Sequence, residues 1–304
     1  LRYYLATDVA SGTDMRFDEE KIKATWNFIN KVWNASRFVL LNIEGLDEVV
    51  LENLKPEDEW ILTKFERTLE ETRKFMDKYE FNNAGSAIYN FTWTMFCDNY
   101  IEMAKYTIDS KTTKSVLCYV LDGILKLLHP FMPYVTEEIY GMLPVKDSES
   151  IMISKYPRHN KRLVFEDVED IVDDEIEFIK NFRNIKAENN ISKEFKVMFD
   201  TSDDNDLIIK MLKLKDNVVK DNLGIKAYKV FSKKVRATIF FETEADKALK
   251  LAQIEMLKKS IQRRKNLLSN EGYVTKAPQN IVEQERKNLA LEEEKLKNLE
   301  LDNK

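Results

Sequence analysis

The sequence predicts a mainly α-helical protein in three parts: a helical bundle, a small α/β unit and a C-terminal antiparallel coiled-coil hairpin. Three observations carry that expectation. Only 7 Gly and 6 Pro in 304 residues leave too few turn formers for an all-β chain. Apolar residues recur at helical spacing through most of residues 16–165, while Phe195, Val197 and Phe199 alternate as in a strand. Near the end, Ile254, Ile261 and Leu268 repeat every seven residues before a break, and Val282, Leu289 and Leu296 do so after it. The expected divisions are 1–15 (the end of a preceding element), 16–165 (bundle), 166–241 (α/β unit) and 242–304 (arm).

Composition narrows the class. With 43% hydrophobic and 33% charged residues, the chain can bury cores and remain a water-soluble, helix-rich protein. The net charge of −5 is unevenly spread. Residues 247–276 hold eight Lys/Arg against Glu255 and Glu271, whereas Phe165 to Ile179 holds eight carboxylates and no base. A locally basic segment in an acidic protein is compatible with a docked polyanion. Cys97 and Cys118 sit in apolar helical text, so buried free thiols in a reducing compartment are expected. No targeting signal or membrane-length apolar run is present, and a cytoplasmic monomer is expected.

The first helix is expected after the turn Ser11-Gly12-Thr13-Asp14, with Asp18 as N-cap and Glu19 and Glu20 in the first turn. Its stretch Trp26 to Leu41 organises the rest. Ile22, Trp26, Ile29, Val32, Trp33, Val39 and Leu40 fall on one apolar arc expected to be buried. Asn27, Asn30, Lys31, Asn34 and Arg37 fall on the other, and Phe38 stands among them. Two readings are open for Phe38: stacking on an unpaired nucleobase beside phosphate-binding cations, or packing under a neighbouring helix. Gly45 stops this helix, and Lys55-Pro56 opens another that runs to about Tyr79.

Residues 80–108 are the most aromatic stretch and are expected to form the central, buried helix. One stripe on it is polar: Thr94, Asp98, Glu102 and Lys105. It reads either as a Glu102–Lys105 pair with Asp98 bonded to a neighbouring helix, or as a polar seam next to RNA. A further helix from Thr113 to Leu128 is stopped by His129-Pro130, and helical text restarts at Pro133. His129 has no nearby nucleophile or metal-ligand spacing and is read as structural. Two His and two scattered Cys make no zinc site, and no phosphate loop or nucleophile marks an independent hydrolase.

The acidic helix begins at Phe165 and turns basic at Lys180, Arg183 and Lys186. Strands are expected at Phe195–Phe199, Ala227–Phe231 and Val235–Phe241, with helix from Asp203 to Leu214. From Glu242 the text is helical, broken once between Ser269 and Pro278. The basic first arm is either an ordinary solvated flank or a polyanion-binding face.

Four stretches resemble one family. LRYYLATDVASGTDMRF is similar to the segment after the KMSKS loop of valyl-tRNA synthetases. WNFINKVWNASRFVLLN is similar to the first helix of their anticodon-binding domain. FTWTMFCDNYIE and HPFMPYVTEEIY resemble the bundle shared by the valine, isoleucine and leucine enzymes. LLSNEGYVTKAP resembles the tip of the coiled coil that sets the valine enzymes apart. The resemblance implies the tRNA-recognition part of a bacterial enzyme, with tRNA(Val) and the catalytic and editing domains as partners. Neither a HIGH nor a KMSKS motif occurs in these 304 residues, so the chain alone is expected to be inactive. ATP and Mg would belong to the catalytic domain, with no cofactor in this chain.

The resemblance also implies contacts. Phe38 would pack on an anticodon base and Arg37 would contact base or phosphate, with Lys31 and Asn34 supporting the backbone. Trp93, Asp98 and Tyr100 are further candidates on the central helix. Lys258, Lys259, Arg263, Arg264 and Lys265, with Tyr273 and Lys276 at the tip, would meet the outer corner of the tRNA. Glu20 and Lys21 stand where some members carry Arg and an aromatic, so no contact is assigned there. The acidic helix is expected away from phosphate unless Lys or Arg shields it. The competing class is a coiled-coil dimerisation or protein-interaction module without RNA binding.

Overall fold

The structure, a computed structural model, describes residues 1–8, 12–14, 17–191, 194–200, 205–241, 244–270 and 278–301. They pack into two units. The first comprises Leu1–Asn184, Asp200–Asp216 and Val230–Arg236; the second comprises Ile185–Phe199, Asn217–Lys229 and Ala237–Lys304.

In the first unit, α1 (Arg2–Thr7) leads to the long α2 (Glu19–Asn42). The Asp18 carboxylate accepts from the Glu20 N–H at 2.9 Å, so it caps α2 as its position predicts. Helix α2 ends at Asn42, and Gly45 takes the left-handed turn at φ 79°. Next come α3 (Pro56–Asp77) and α4 (Phe81–Asn90). A π-helix spans Phe91–Tyr100 and passes into the short α5 (Ile101–Ala104). The unit continues with α6 (Lys111–Leu128), α7 (Pro133–Gly141) and the first part of α8 (Glu166–Glu188). His129 closes the α6–α7 corner, its Nδ1 2.8 Å from Thr136 Oγ1, in the structural role its sequence context implies.

Helices α3 and α6 carry the core: Trp60, Ile61, Leu62 and Phe65 meet a nearly continuous buried run from Val116 to Leu128. Gly123 is required there, because a Cβ would lie 2.0 Å from the Phe65 ring. At the start of α3, fully buried Asp58 accepts from Tyr100 Oη at 2.6 Å and from Thr113 Oγ1 at 3.3 Å. Burial raises its carboxyl above the usual range, and the Tyr100 bond moderates the rise. Part of the acidic face of α8 is neutralised by bases of α3, while Asp167, Asp170 and Glu177 stay exposed. Lys64 Nζ lies 2.7 Å from Glu169, Arg67 Nε lies 2.8 Å from its other oxygen, and Trp60 Nε1 donates to Asp173 at 2.9 Å. Burial alone would raise the Glu169 carboxyl; Lys64 and Arg67 more than offset it and hold it below the usual range.

Two helix expectations are corrected. The buried stripe of α2 is Phe28, Val32, Ser36 and Val39, continued by Ile43, and not the broad arc through both tryptophans. Trp26 is 61% and Trp33 is 41% exposed. Helix α2 packs chiefly against α6 and the π-helix, and the apolar residues on its shoulders stay wet. The aromatic stretch around Phe96 is buried as expected, but its period is π and not α, which residue types alone do not announce.

The small sheet has the order β1 (Phe195–Phe199), β3 (Arg236–Phe241), β2 (Ala227–Phe231). Strands β1 and β3 are antiparallel, with Val197 opposite Ile239. Both residues are fully buried, as the alternation requires. The helical segment preceding β2 is α9 (Asp206–Leu212). In the second unit, α10 (Glu244–Ser269) pairs with α11 (Gln279–Leu301). Ile254, Ile261 and Val282 are buried along their seam, at positions the heptads mark.

Candidate nucleic-acid interface

On the bundle, α2 runs beside the π-helix and α5 in the same direction. Lys31 forms an ion pair with Asp98, and its ammonium lies 4.2 Å from the centre of the Trp93 ring. The Trp93 ring stacks on Tyr89 at 5.5 Å, and Tyr89 leans on buried Phe28 at 4.7 Å. Seven residues further along both helices, the Lys105 ammonium lies 5.8 Å from the Phe38 ring and pairs with Glu102. Phe38 itself is half-buried. The first reading of the polar stripe therefore occurs: Glu102 pairs with Lys105 and Asp98 bonds to a neighbouring helix. The seam they form is open to solvent, with the Asp98 side chain 48% exposed.

The structure brings Lys31, Phe38, Trp93 and Asp98 to one seam. Asn34 is exposed on the same side of α2. Arg37 parts company with its neighbour Phe38. It lines a cleft of about 470 Å³ with Trp33, Leu40, Leu41 and Met142, on the other flank of α2. Adjacent helical residues point about 100° apart, so a shared sequence motif does not make a shared surface. Tyr100 is corrected: it is fully buried and its hydroxyl is committed to Asp58, leaving nothing for RNA. Lys105 was not among the candidates. Its place in the polar stripe was visible, but the helix it would face was not.

Cys97 and Cys118 carry free thiols, which burial pushes up to about 12 and about 11. Such thiols are inert packing groups at neutral pH.

On the arm, Lys258, Lys259, Arg263 and Lys265 are exposed. Lys259 pairs with Glu255 on its own helix, and Lys265 with Glu293 on α11 at 2.7 Å. Arg264 is corrected. It turns into the seam between α10 and α11, where it pairs with Glu285 and with Glu292, the latter at 3.1 Å from Nε. Ser260 adds a hydrogen bond to Glu292 at 3.0 Å. Seven-residue spacing explains the placement, because Arg264 lies three residues after the seam position Ile261. Tyr273 and Lys276 lie outside the described residues.

An aromatic–cation seam on a helical bundle, with a paired-helix arm bearing exposed cations, is chemistry that suits binding to structured RNA. Residues 58–199 match the family model of the anticodon-binding domain of tRNA ligases. Residues 244–302 match that of the valyl tRNA synthetase tRNA binding arm. The chain is 37% identical to the valine–tRNA ligase of Listeria innocua over 94% of its own length and 35% of that protein's. It is likewise 37% identical to the Bacillus subtilis enzyme and 36% identical to that of Thermotoga maritima, over 94% and 99% of this chain. The chain belongs to the valyl-tRNA synthetase family, and it spans about a third of the length of these relatives.

Proposed function

We propose that the chain is the tRNA-recognition part of a valine–tRNA ligase, the cytoplasmic enzyme that joins L-valine to tRNA(Val) with ATP. In this reading the bundle engages the anticodon loop and the arm engages the elbow of the same tRNA. On the same reading, activation and transfer belong to the enzyme's catalytic domain, with ATP and Mg, and editing belongs to its editing domain. The observation that carries the reading is the seam of Lys31, Trp93, Phe38 and Lys105. There, half-buried aromatic rings lie beside ammonium groups, and the partners Trp93 and Lys105 fall within the residues that match the anticodon-binding-domain model. Stacking contributes about 1–3 kcal/mol per base, and phosphate contacts add salt-dependent affinity without sequence preference.

The dimerisation reading needs a coiled-coil seam left unsatisfied within one chain. Here Ile254, Ile261 and Val282 are buried and Arg264 is paired between α10 and α11, which favours a hairpin. Binding is tested by titrating labelled tRNA(Val) with the 304-residue chain at two salt concentrations, beside a tRNA altered only in its anticodon. The reading expects salt-dependent binding with preference for the unaltered tRNA. Equal affinity for both would remove the bundle from recognition, and no binding at either salt would remove the reading. Light scattering of the free chain addresses the dimer, which the reading expects to be absent.

A further inference from the structure

We propose that Asp98 and Trp93 are positioning residues that convert Lys31 from a free-swinging phosphate binder into a fixed, charge-compensated donor for a base edge. The inference rests on the anticodon-binding reading above and assigns a role to each member of the seam.

The geometry starts with the π-helix. At about 100° per residue, side chains five positions apart on an α-helix stand roughly 140° out of line. Trp93 and Asp98 are five apart, yet both meet the Lys31 ammonium. Widening the turn to i→i+5 bonding brings such residues one above the other. The Ile101 N–H bonds back to the Phe96 carbonyl, and the Asn99 side chain donates to the Thr94 carbonyl at 2.8 Å, both five residues back. The π-helix is thus what builds a two-sided clasp on one helix face.

The clasp has chemical consequences. An ammonium has three N–H donors and ordinarily swings on a four-carbon stem. One donor is taken by Asp98 and the Trp93 face takes part of the charge. The side chain is 26% exposed, which leaves its remaining donors accessible to a ligand. Trp93 is itself backed by Tyr89 and Phe28, so the platform is rigid. Ordering Lys31 in advance lowers the entropy lost on binding. Compensating its charge weakens the pull of any nearby phosphate, which carries no sequence information, relative to a directed hydrogen bond to a base, which does.

The test uses Asp98→Asn, Asp98→Glu and Lys31→Met in the 304-residue chain, with tRNA(Val) and the anticodon-altered tRNA titrated across a salt series. Asp98→Asn is expected to bind the altered tRNA about 3- to 10-fold more tightly, to lose most of its anticodon discrimination, and to steepen the salt slope by about one unit as a freed ammonium finds phosphate. Asp98→Glu should restore discrimination, and Lys31→Met should cancel the steeper slope in the double variant. Unchanged slope and discrimination in Asp98→Asn would overturn the proposal. So would a loss of affinity matched for both tRNAs with the slope unchanged, which is the signature of a merely structural role. Wild-type chain that binds without discrimination would instead overturn the anticodon reading itself, so the two failures are distinguishable.

Discussion

The bundle and the arm both present lysines and arginines, but they hold them differently. On the bundle, Lys31 is clasped by a carboxylate and an indole, and Lys105 is held over Phe38. On the arm, Lys259 pairs along its own exposed helix face and Arg263 is exposed, while Arg264 is withdrawn between the helices. A cation fixed against an aromatic has one direction in which to act, which suits reading a base. A cation on a solvated helix has many, which suits a phosphate backbone. The difference lies in what backs each side chain, not in the side chain itself.

The contrast can be broken from the largest effect downward. Phe38→Ala should cost about 1–3 kcal/mol of binding to tRNA(Val), the value of one stacked base, and leave the anticodon-altered tRNA unaffected. Equal loss for both in a titration would make Phe38 a packing residue. Replacing Lys258, Arg263 and Lys265 together by Ala should lower affinity for all tRNAs alike and flatten the salt slope by about two to three units. A preserved slope would take the arm out of the interface.

Glu169→Gln probes the bundle's scaffold and should lower unfolding stability by about 1–2 kcal/mol at neutral pH, allowing for solvent beside the pair. The sign with pH follows from the depressed carboxyl of Glu169 in the folded state. Its contribution is complete above the ordinary value of 4.5 and is lost as pH falls through the lower folded value. Denaturant melts of wild type and variant should therefore converge in acid. Arg264→Ala should destabilise the hairpin by about 1 kcal/mol, because its partners still touch water, and should change the tRNA salt slope less than Arg263→Ala does. The reverse order would return Arg264 to the RNA face. Lys259→Ala, which loses only an exposed pair with Glu255, should leave the melting curve unchanged.

How far the site was legible follows from which interactions are local. The Asp18 cap and the Gly45 stop depend on a few neighbouring residues, and both occur where the sequence places them. The alternation of β1 and the heptads of α10 and α11 are equally local in period, and they also fold as read. Lys31 and Phe38 could be singled out because charge and aromaticity repeat on one helical face. Their partners could not be read, since Asp98 and Lys105 come from a helix more than sixty residues away in sequence.

By itself the sequence determined which stretches are helix and which are strand, the mainly α class, the arm's seam and the family, because each rests on short-range periodicity or on residue identity. Only the tertiary structure decided which shoulder of α2 is wet, that Arg37 and Phe38 serve different flanks, that Tyr100 is spent on Asp58, and that Arg264 belongs to the seam. The physical reason is the same in each case. A side chain's role depends on what is packed against it, and for these residues the packing partner, or the helix period that aims it, is set by contacts that no local pattern encodes.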